Sequence, residues 1–402
     1  NIQTRGYEFD LPEVTDPSYW RELIQQIAIS HGVTNQLAIQ RLNHLIEISK
    51  DWIDVLASGS ASFDRFFVKS SQLVAGTLVG MGAKWLNIEE QEFDWVIVDE
   101  AGRAQASELM IAMQCAKRVL LVGDHRQLPP HYELSHIRHV SRKLGVDEAV
   151  VRKTDFERAF IANDGIALDT QYRMIEPIGA VISHCFYDGQ LKSYRQQAPE
   201  WFSDLPYPLN KPVTWIDSGT GDRATYEDDD GRGGITNRHE MAVVTHILRQ
   251  LASSHSLEKL RANKSEKQPF PIGIIVMYRA QKTLLEAELS RSEWMAPLRD
   301  LCHIDVVDAY QGKERTIVLL SLVRNNPESK QGFLVDTSRI NVALSRAQER
   351  LVVIGSKSMW HAKNKHSSLA DVLNFIDKQT SSGNENYEIV DGTTVIEGAR
   401  NA

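Results

Sequence analysis

The stretch Trp95-Val96-Ile97-Val98-Asp99-Glu100-Ala101-Gly102 decides how this chain is read. An apolar, largely β-branched run passes directly into two carboxylates. Such a run is a buried strand whose carboxyl end delivers two acids into a turn. Nucleotide hydrolysis gives that order a purpose: the first acid, Asp99, helps hold Mg²⁺, and the second, Glu100, polarises the attacking water. A second strand end follows at Leu121-Val122-Gly123-Asp124-His125-Arg126-Gln127-Leu128-Pro129-Pro130. There Gly123 permits a tight turn. The Gln127 amide, which both donates and accepts, can reach a terminal phosphate or its water.

Outward from these turns, short β-branched runs alternate with helical stretches. Strands are expected at Leu73–Leu78, Trp95–Asp99, Arg118–Val122, Val213–Ile216, Ile272–Val276, Thr316–Leu322 and Leu351–Ile354. Near-continuous apolar strands separated by helices predict an α/β protein with parallel sheets covered on both faces. In such sheets function gathers at the carboxyl ends of strands. The first 70 residues read differently. Asp16-Pro17 is a helix start, Trp20, Leu23, Ile24 and Ile27 keep helical spacing, and Gly32 ends the run. A second helical pattern, Leu42 to Leu56, ends near Gly59, so a helical hairpin is expected. Gly219–Gly234, with the acidic run Glu227–Asp230, reads as a surface loop, and so does Ala262–Gln268.

The composition is that of an ordinary globular protein, 42% hydrophobic and 24% charged, with a formal net charge of −8. That charge argues against coating nucleic acid by bulk electrostatics, but not against gripping a strand in a local groove. No apolar run is long enough to span a membrane. Three widely spaced cysteines, Cys115, Cys185 and Cys302, form neither a disulfide framework nor a zinc spacing, which fits a reducing compartment, cytoplasmic or nuclear. His-Glu-x-x-His and Gly-x-Ser-x-Gly are both absent, so metalloprotease and serine-hydrolase chemistry find no support.

Asp-Glu-Ala-Gly followed by Gly-Asp-x-x-Gln-Leu-x-Pro resembles motifs II and III of superfamily 1 helicases, and more narrowly the 1B branch with the nonsense-mediated-decay helicase and the replication helicase-nucleases. Further segments resemble the rest of the series, in order. Gln171-Tyr172-Arg173-Met174 is similar to motif IIIa, and Gly273-Ile274-Ile275-Val276-Met277-Tyr278-Arg279-Ala280-Gln281 to motif IV. Val307-Asp308-Ala309-Tyr310-Gln311-Gly312-Lys313-Glu314 is similar to motif V, and Arg339-Ile340-Asn341-Val342-Ala343-Leu344-Ser345-Arg346-Ala347 to motif VI. The resemblance covers roughly residues 70 to 375.

The resemblance implies two RecA-like parallel-sheet domains, the first incomplete, with an N-terminal helical hairpin insertion. The expected bounds are 1–70 for the insertion, 71–165 for the rest of the first domain, 166–378 for the second and 379–402 for a C-terminal tail. It implies an ATP-dependent helicase or translocase, with ATP and Mg²⁺, moving 5′→3′ on single-stranded DNA or RNA. Glu100, Gln127, Arg173 and Arg346 would be catalytic, the arginines reaching across a cleft to stabilise charge on the transferring phosphoryl group. Asp99, Gly123, Asp124, Tyr172, Gly312, Lys313 and Glu314 would line the nucleotide site. Asp99 would be the metal ligand, Tyr172 would pack on the base, and Glu314 would accept from a ribose hydroxyl. Thr77, at the end of the first expected strand, would touch the nucleic-acid backbone, with Tyr278, Gln281, Ser321 and Arg324. Asn237 with Glu240 reads as a helix cap pair rather than a site.

Three departures stand out. Arg103 replaces the usual Gln after Asp-Glu-Ala-Gly, and Ile175-Glu176-Pro177 replaces the usual His-Pro. More important, no Gly-x-x-x-x-Gly-Lys-[Ser/Thr] occurs in the 402 residues. The expectation is a piece of a longer helicase whose phosphate loop precedes Asn1, inactive alone and partnered by that missing part or by another protein. The alternative is an ATPase-inactive helicase-like scaffold that binds nucleic acid or protein.

Overall fold

The computed structural model describes residues 17–57, 64–84, 86, 88–219, 222–266, 268–360 and 366–397. Thr220 and Gly221 of the expected loop, Asp16 and Gly59 lie outside these. The contacts divide the chain into two units, Asn1–Asp99 with Gln105–Val122, and Glu100–Ala104 with Gly123–Ala402.

In the first unit the expected helical pair is present, Pro17–Ser30 and Gln36–Ala57, and the two helices pack on each other. Strands β1 (Val96–Val98) and β2 (Val119–Leu121) pair in parallel, with Ile97 opposite Leu120. A small core of Val68, Ile88 and Cys115 lies in this unit. The strand expected at Leu73–Leu78 does not form. Leu73 is exposed, and Thr77 instead caps the helix Leu78–Met81, its hydroxyl accepting from the Gly80 N–H at 3.1 Å. An apolar run becomes a strand only where a neighbour can accept its hydrogen bonds; the glycines at 76, 80 and 82 further weaken any strand here.

The second unit holds the remaining strands: β3 (Thr170–Ile175), β4 (Lys192–Arg195), β5 (Val213–Asp217), β6 (Asp228–Asp229), β7 (Ile235–Thr236), β8 (Ile272–Val276), β9 (Cys302–Val306), β10 (Arg315–Ser321), β11 (Ala347–Gly355) and β12 (Tyr387–Asp391). Six form one sheet in the order β12-β5-β11-β10-β8-β9, parallel throughout. Alternate residues feed two cores. Val318 and Leu320 of β10 face one layer, with the helices Glu176–Phe186 and Ser368–Ser381. Ile317 and Leu319 face the other, with Arg238–Ala252 and Arg279–Arg291. This is the doubly covered parallel sheet that continuous apolar strands require. Residues 387–391, within the segment set apart as a tail, are its edge strand β12, paired along β5. A separate parallel pair, β3 with β4, carries Tyr172 and Arg173.

Candidate functional site

The site is built from the turns that follow β1 and β2. A Cβ on Gly123 would lie 2.7 Å from the Gly102 nitrogen, and one on Gly102 would lie 2.9 Å from the Asp124 carbonyl oxygen. The two turns therefore touch backbone to backbone, which is the close approach that requires glycine on both sides. Asp99 and Glu100 leave β1 exposed. Glu100 takes the left-handed conformation, φ 54°, which turns the chain directly after β1. Its Oε2 accepts from Gln311 Nε2 at 3.2 Å.

Asp124 organises the second turn. Its Oδ1 accepts from the Arg126 N–H at 2.9 Å and its Oδ2 from Gln127 Nε2 at 3.0 Å and from the Tyr187 hydroxyl. Burial, then the Asp124 charge, pushes the Tyr187 phenol above its ordinary range, so it stays protonated and donates. Asn341 Nδ2 donates to the Tyr187 oxygen and to the Arg126 carbonyl, both at 3.0 Å. Gln127 is thereby fixed with its amide oxygen turned outward.

That oxygen meets Arg346. The Arg346 guanidinium is 1% exposed and donates to Val342 O at 3.0 Å, Lys313 O at 3.1 Å, Ser345 Oγ at 3.0 Å and Gln127 Oε1 at 3.4 Å. All four acceptors are neutral. Burial, then the neighbouring Arg173, lowers its pKa to about 10, so it remains charged at neutral pH. Arg173 donates from Nε to Glu314 Oε2 at 2.9 Å and from one terminal nitrogen to Ser345 O at 3.1 Å. Gly312 sits in the left-handed region, φ +72°, and turns the chain so that Lys313 presents its carbonyl to Arg346. Burial and Arg173 work against the Arg346 charge, and the nearby Glu100 and Glu314 carboxylates support it, while its hydrogen bonds go to neutral oxygens.

Glu314 directly precedes β10 and Arg346 directly precedes β11, where the Arg315 N–H begins the ladder to Arg346 O at 2.8 Å. These groups thus gather at the amino ends of the sheet, not at the carboxyl ends where sequence reasoning put the function. Adjacent parallel strands bring the turns before them side by side, and motifs V and VI are those turns. Nor does a cleft separate Arg346 from Gln127: they are in hydrogen-bonding contact.

The carboxyl ends hold a closed polar network instead. The four nucleic-acid contacts expected there are buried: Tyr278 and Arg324 are 5% exposed, Gln281 and Ser321 0%. Gln281 exchanges hydrogen bonds with the backbone of Asn237, Ser321 donates to Glu240 at 2.6 Å, and Arg324 pairs with Glu227 at 3.1 Å. In this structure the polar groups of Gln281, Ser321 and Arg324 bond to Asn237, Glu240, Glu227 and the Lys330 carbonyl and brace the fold internally. Thr77 is exposed. Asn237 caps its helix as expected, accepting from the Glu240 N–H at 3.0 Å. Tyr172 is exposed and packs against Tyr194, and Lys313 is exposed.

Sequence reasoning missed Tyr187, Asn341, Gln311 and Ser345 as parts of the site. The last three lie inside the motif segments, so a signal was present. Tyr187 follows an amphipathic helix and had none. Among the described residues no group of three or more His, Cys, Asp or Glu could hold a metal ion. No described helix is long and apolar enough to cross a membrane.

A family described as "AAA domain" matches residues 151–358, more than half of the chain. The chain belongs to the AAA domain family. A second match, also described as "AAA domain", covers residues 14–133 of this AAA-domain chain. Among curated proteins it is 26% identical to the DNA replication ATP-dependent helicase/nuclease DNA2 of Saccharomyces cerevisiae, over 95% of this chain and 25% of that protein. It is 29% identical to the DNA polymerase alpha-associated DNA helicase A of Schizosaccharomyces pombe, over 78% of this chain and 44% of that one. It is also 29% identical to the Regulator of nonsense transcripts 1 homolog of Neurospora crassa, over 74% and 26%. The AAA-domain chain therefore spans between a quarter and under half of these relatives.

Proposed function

We propose that this AAA-domain chain is the catalytic part of an ATP-dependent helicase or translocase that moves 5′→3′ along single-stranded DNA or RNA. The observation that carries the reading is the meeting of four distant segments: Arg173, Glu314 and Arg346 converge, and Arg346 reaches Gln127. Hydrolysis of a terminal phosphate asks for such a set. Glu100 orients the water, Gln127 holds it or the terminal oxygen, and the two planar guanidinium groups take up charge that grows on the phosphoryl oxygens. ATP displaces the internal bonds of Arg346 to neutral oxygens, and its phosphates add negative charge beside a guanidinium pair of which only Arg173 is bonded to a carboxylate, Glu314. Glu314 receives the ribose and Tyr172 the base.

Mg²⁺ fits the donors present: it keeps several waters and takes one or two carboxylates plus phosphate oxygens, and Asp99 is one exposed carboxylate at a strand end. Bound there, it would neutralise phosphate charge. The 402 residues contain no backbone cradle of the Gly-x-x-x-x-Gly-Lys type for the β-phosphate.

The test is ATP hydrolysis, with and without single-stranded DNA and RNA, by a protein containing this sequence and a phosphate loop, together with displacement of a strand from a duplex with a 5′ overhang. Hydrolysis dependent on a single strand, and displacement only with the 5′ overhang, support the reading. Hydrolysis indifferent to nucleic acid contradicts it.

A further inference from the structure

Two tyrosine rings stand in solvent on neighbouring strands: Tyr172 of β3 is 66% exposed and Tyr194 of β4 is 68% exposed. Their centroids are 4.8 Å apart at an interplanar angle of 35°. The backbone beneath them is fixed on both sides of both rings. Gln171 donates to Ser193 Oγ at 2.8 Å, and Arg195 donates to Arg173 O at 2.7 Å, so the residues flanking Tyr172 are tied to the residues flanking Tyr194. Gln171 Oε1 also accepts from the Arg173 and Met174 N–H groups, at 2.9 and 2.8 Å. Arg195 pairs further with Glu349. Gly179 closes the back of the pair, because a Cβ there would lie 2.0 Å from Ser193 Oγ. Two aromatic faces are thus rigidly held yet left uncovered. A contiguous, preorganised aromatic surface is what another flat π system stacks on at low entropic cost. The adjacent residue, Arg173, belongs to the arginine cluster and bonds Glu314.

We propose that Tyr194 joins Tyr172 in a single stacking surface for the base of the bound nucleotide, so that Tyr194 is a nucleotide-binding residue. This rests on the reading that the Arg173 and Arg346 cluster binds nucleotide phosphates. Tyr194 lies outside every motif segment, and its contribution comes from its register on β4. The Gln171 and Arg195 side-chain ties between the two strands keep its ring beside Tyr172.

The test uses a protein containing this sequence and a phosphate loop in saturation-transfer NMR with ATP, reading the adenine H2 and H8 protons, alongside titration with inorganic tripolyphosphate followed by ³¹P NMR. A stacked base is worth roughly five-fold or more in affinity. Tyr194→Ser should therefore weaken ATP binding about five-fold or more, Tyr194→Phe should restore it, and neither should change tripolyphosphate affinity. The proposal is overturned if the adenine protons take up no saturation in the unaltered chain, or if Tyr194→Ser leaves ATP affinity unchanged. It is also overturned if only a single-stranded oligonucleotide, and not ATP, depends on Tyr194. If tripolyphosphate still binds and Arg346→Ala removes that binding, the phosphate reading survives and only the aromatic assignment falls. If tripolyphosphate does not bind, both fall.

Discussion

Arg346 Nη2 lies 3.4 Å from Gln127 Oε1 although 219 residues separate them in sequence. In the proposed reaction the two side chains act from opposite sides of the terminal phosphate. Gln127 is held by Asp124 in a turn after β2, and Arg346 by the Lys313 carbonyl just before β10 and the Val342 carbonyl of the helix that leads into β11. Neither the amide nor the guanidinium has its position set by the other alone. Each is braced from behind, which is the arrangement that preorganised stabilisation of a transition state needs.

Glu100→Gln should separate binding from chemistry. The amide keeps the shape of the side chain and leaves Asp99 untouched, but removes the negative charge that orients water. In a protein containing this sequence and a phosphate loop, ATP affinity should stay within a few-fold while hydrolysis falls by orders of magnitude. Equilibrium binding and single-turnover hydrolysis measured side by side check this. Lost binding with unchanged turnover of bound ATP would mean that Glu100 has another role.

Gly123→Ala should damage the site by packing alone. The new methyl group would press on the Gly102 and Ala101 nitrogens at 2.7 and 3.1 Å, and backbone cannot yield as a flexible side chain does. The expected cost is about 1–3 kcal/mol, the usual range for overpacking. Denaturant unfolding of the 402-residue chain measures it, and a change near zero would show that the two turns separate easily.

Glu240 gives the fold a pH dependence. Its carboxyl is fully buried and accepts from Ser321, from the Val323 N–H at 2.8 Å and from Ser218 at 3.3 Å. Burial, outweighing these bonds, raises its pKa to about 7. The folded state then holds a proton that the unfolded chain releases at about pH 4.3. Stability from this group is present below that value and is lost as pH rises through about 7. Glu240→Gln should remove the decline. The gap between the two unfolding midpoints should shift in favour of the variant from pH 5 to pH 8. A gap independent of pH would show that Glu240 is ionised throughout.

The central strands were legible because they are buried on both faces. The segments of β5, β8, β10 and β11 read as continuous apolar runs, and they form the middle of the sheet. The missed strands β9 and β12 are its two edges. Cys302-His303-Ile304-Asp305-Val306 and Tyr387-Glu388-Ile389-Val390-Asp391 mix polar residues into the run, since an edge is covered less completely. Leu73–Leu78 failed for the reverse reason: it has the composition of a strand but no ladder partner among the described residues. Within the site, the residues came from motif resemblance, whereas their grouping at the amino ends of β10 and β11 depends on sheet order. Sheet order is a long-range property that local patterning does not carry. The same holds for Gln281, Ser321 and Arg324, which motif resemblance suggested as strand contacts and whose partners in the structure are Asn237, Glu240 and Glu227.

The 402-residue chain by itself should show no nucleic-acid-stimulated ATP hydrolysis. Without phosphate-loop amides and their lysine, the β- and γ-phosphates lack a cradle. A coupled-enzyme assay with saturating single-stranded DNA or RNA suffices. Robust turnover would contradict the requirement for that loop.

The most direct measurement is single-turnover ATP hydrolysis by Arg346→Ala and Arg346→Lys, in a protein containing this sequence and a phosphate loop, with nucleotide-free single-strand affinity measured on the same preparations. An arginine that meets transferring phosphoryl charge is worth roughly 10³–10⁵ in rate. The account predicts a loss of that order for Arg346→Ala and little rescue by Arg346→Lys, since an ammonium cannot reproduce the planar fork. Single-strand affinity should change only slightly. Hydrolysis within ten-fold of the unaltered protein, or a loss matched by an equal loss of single-strand binding, would contradict it.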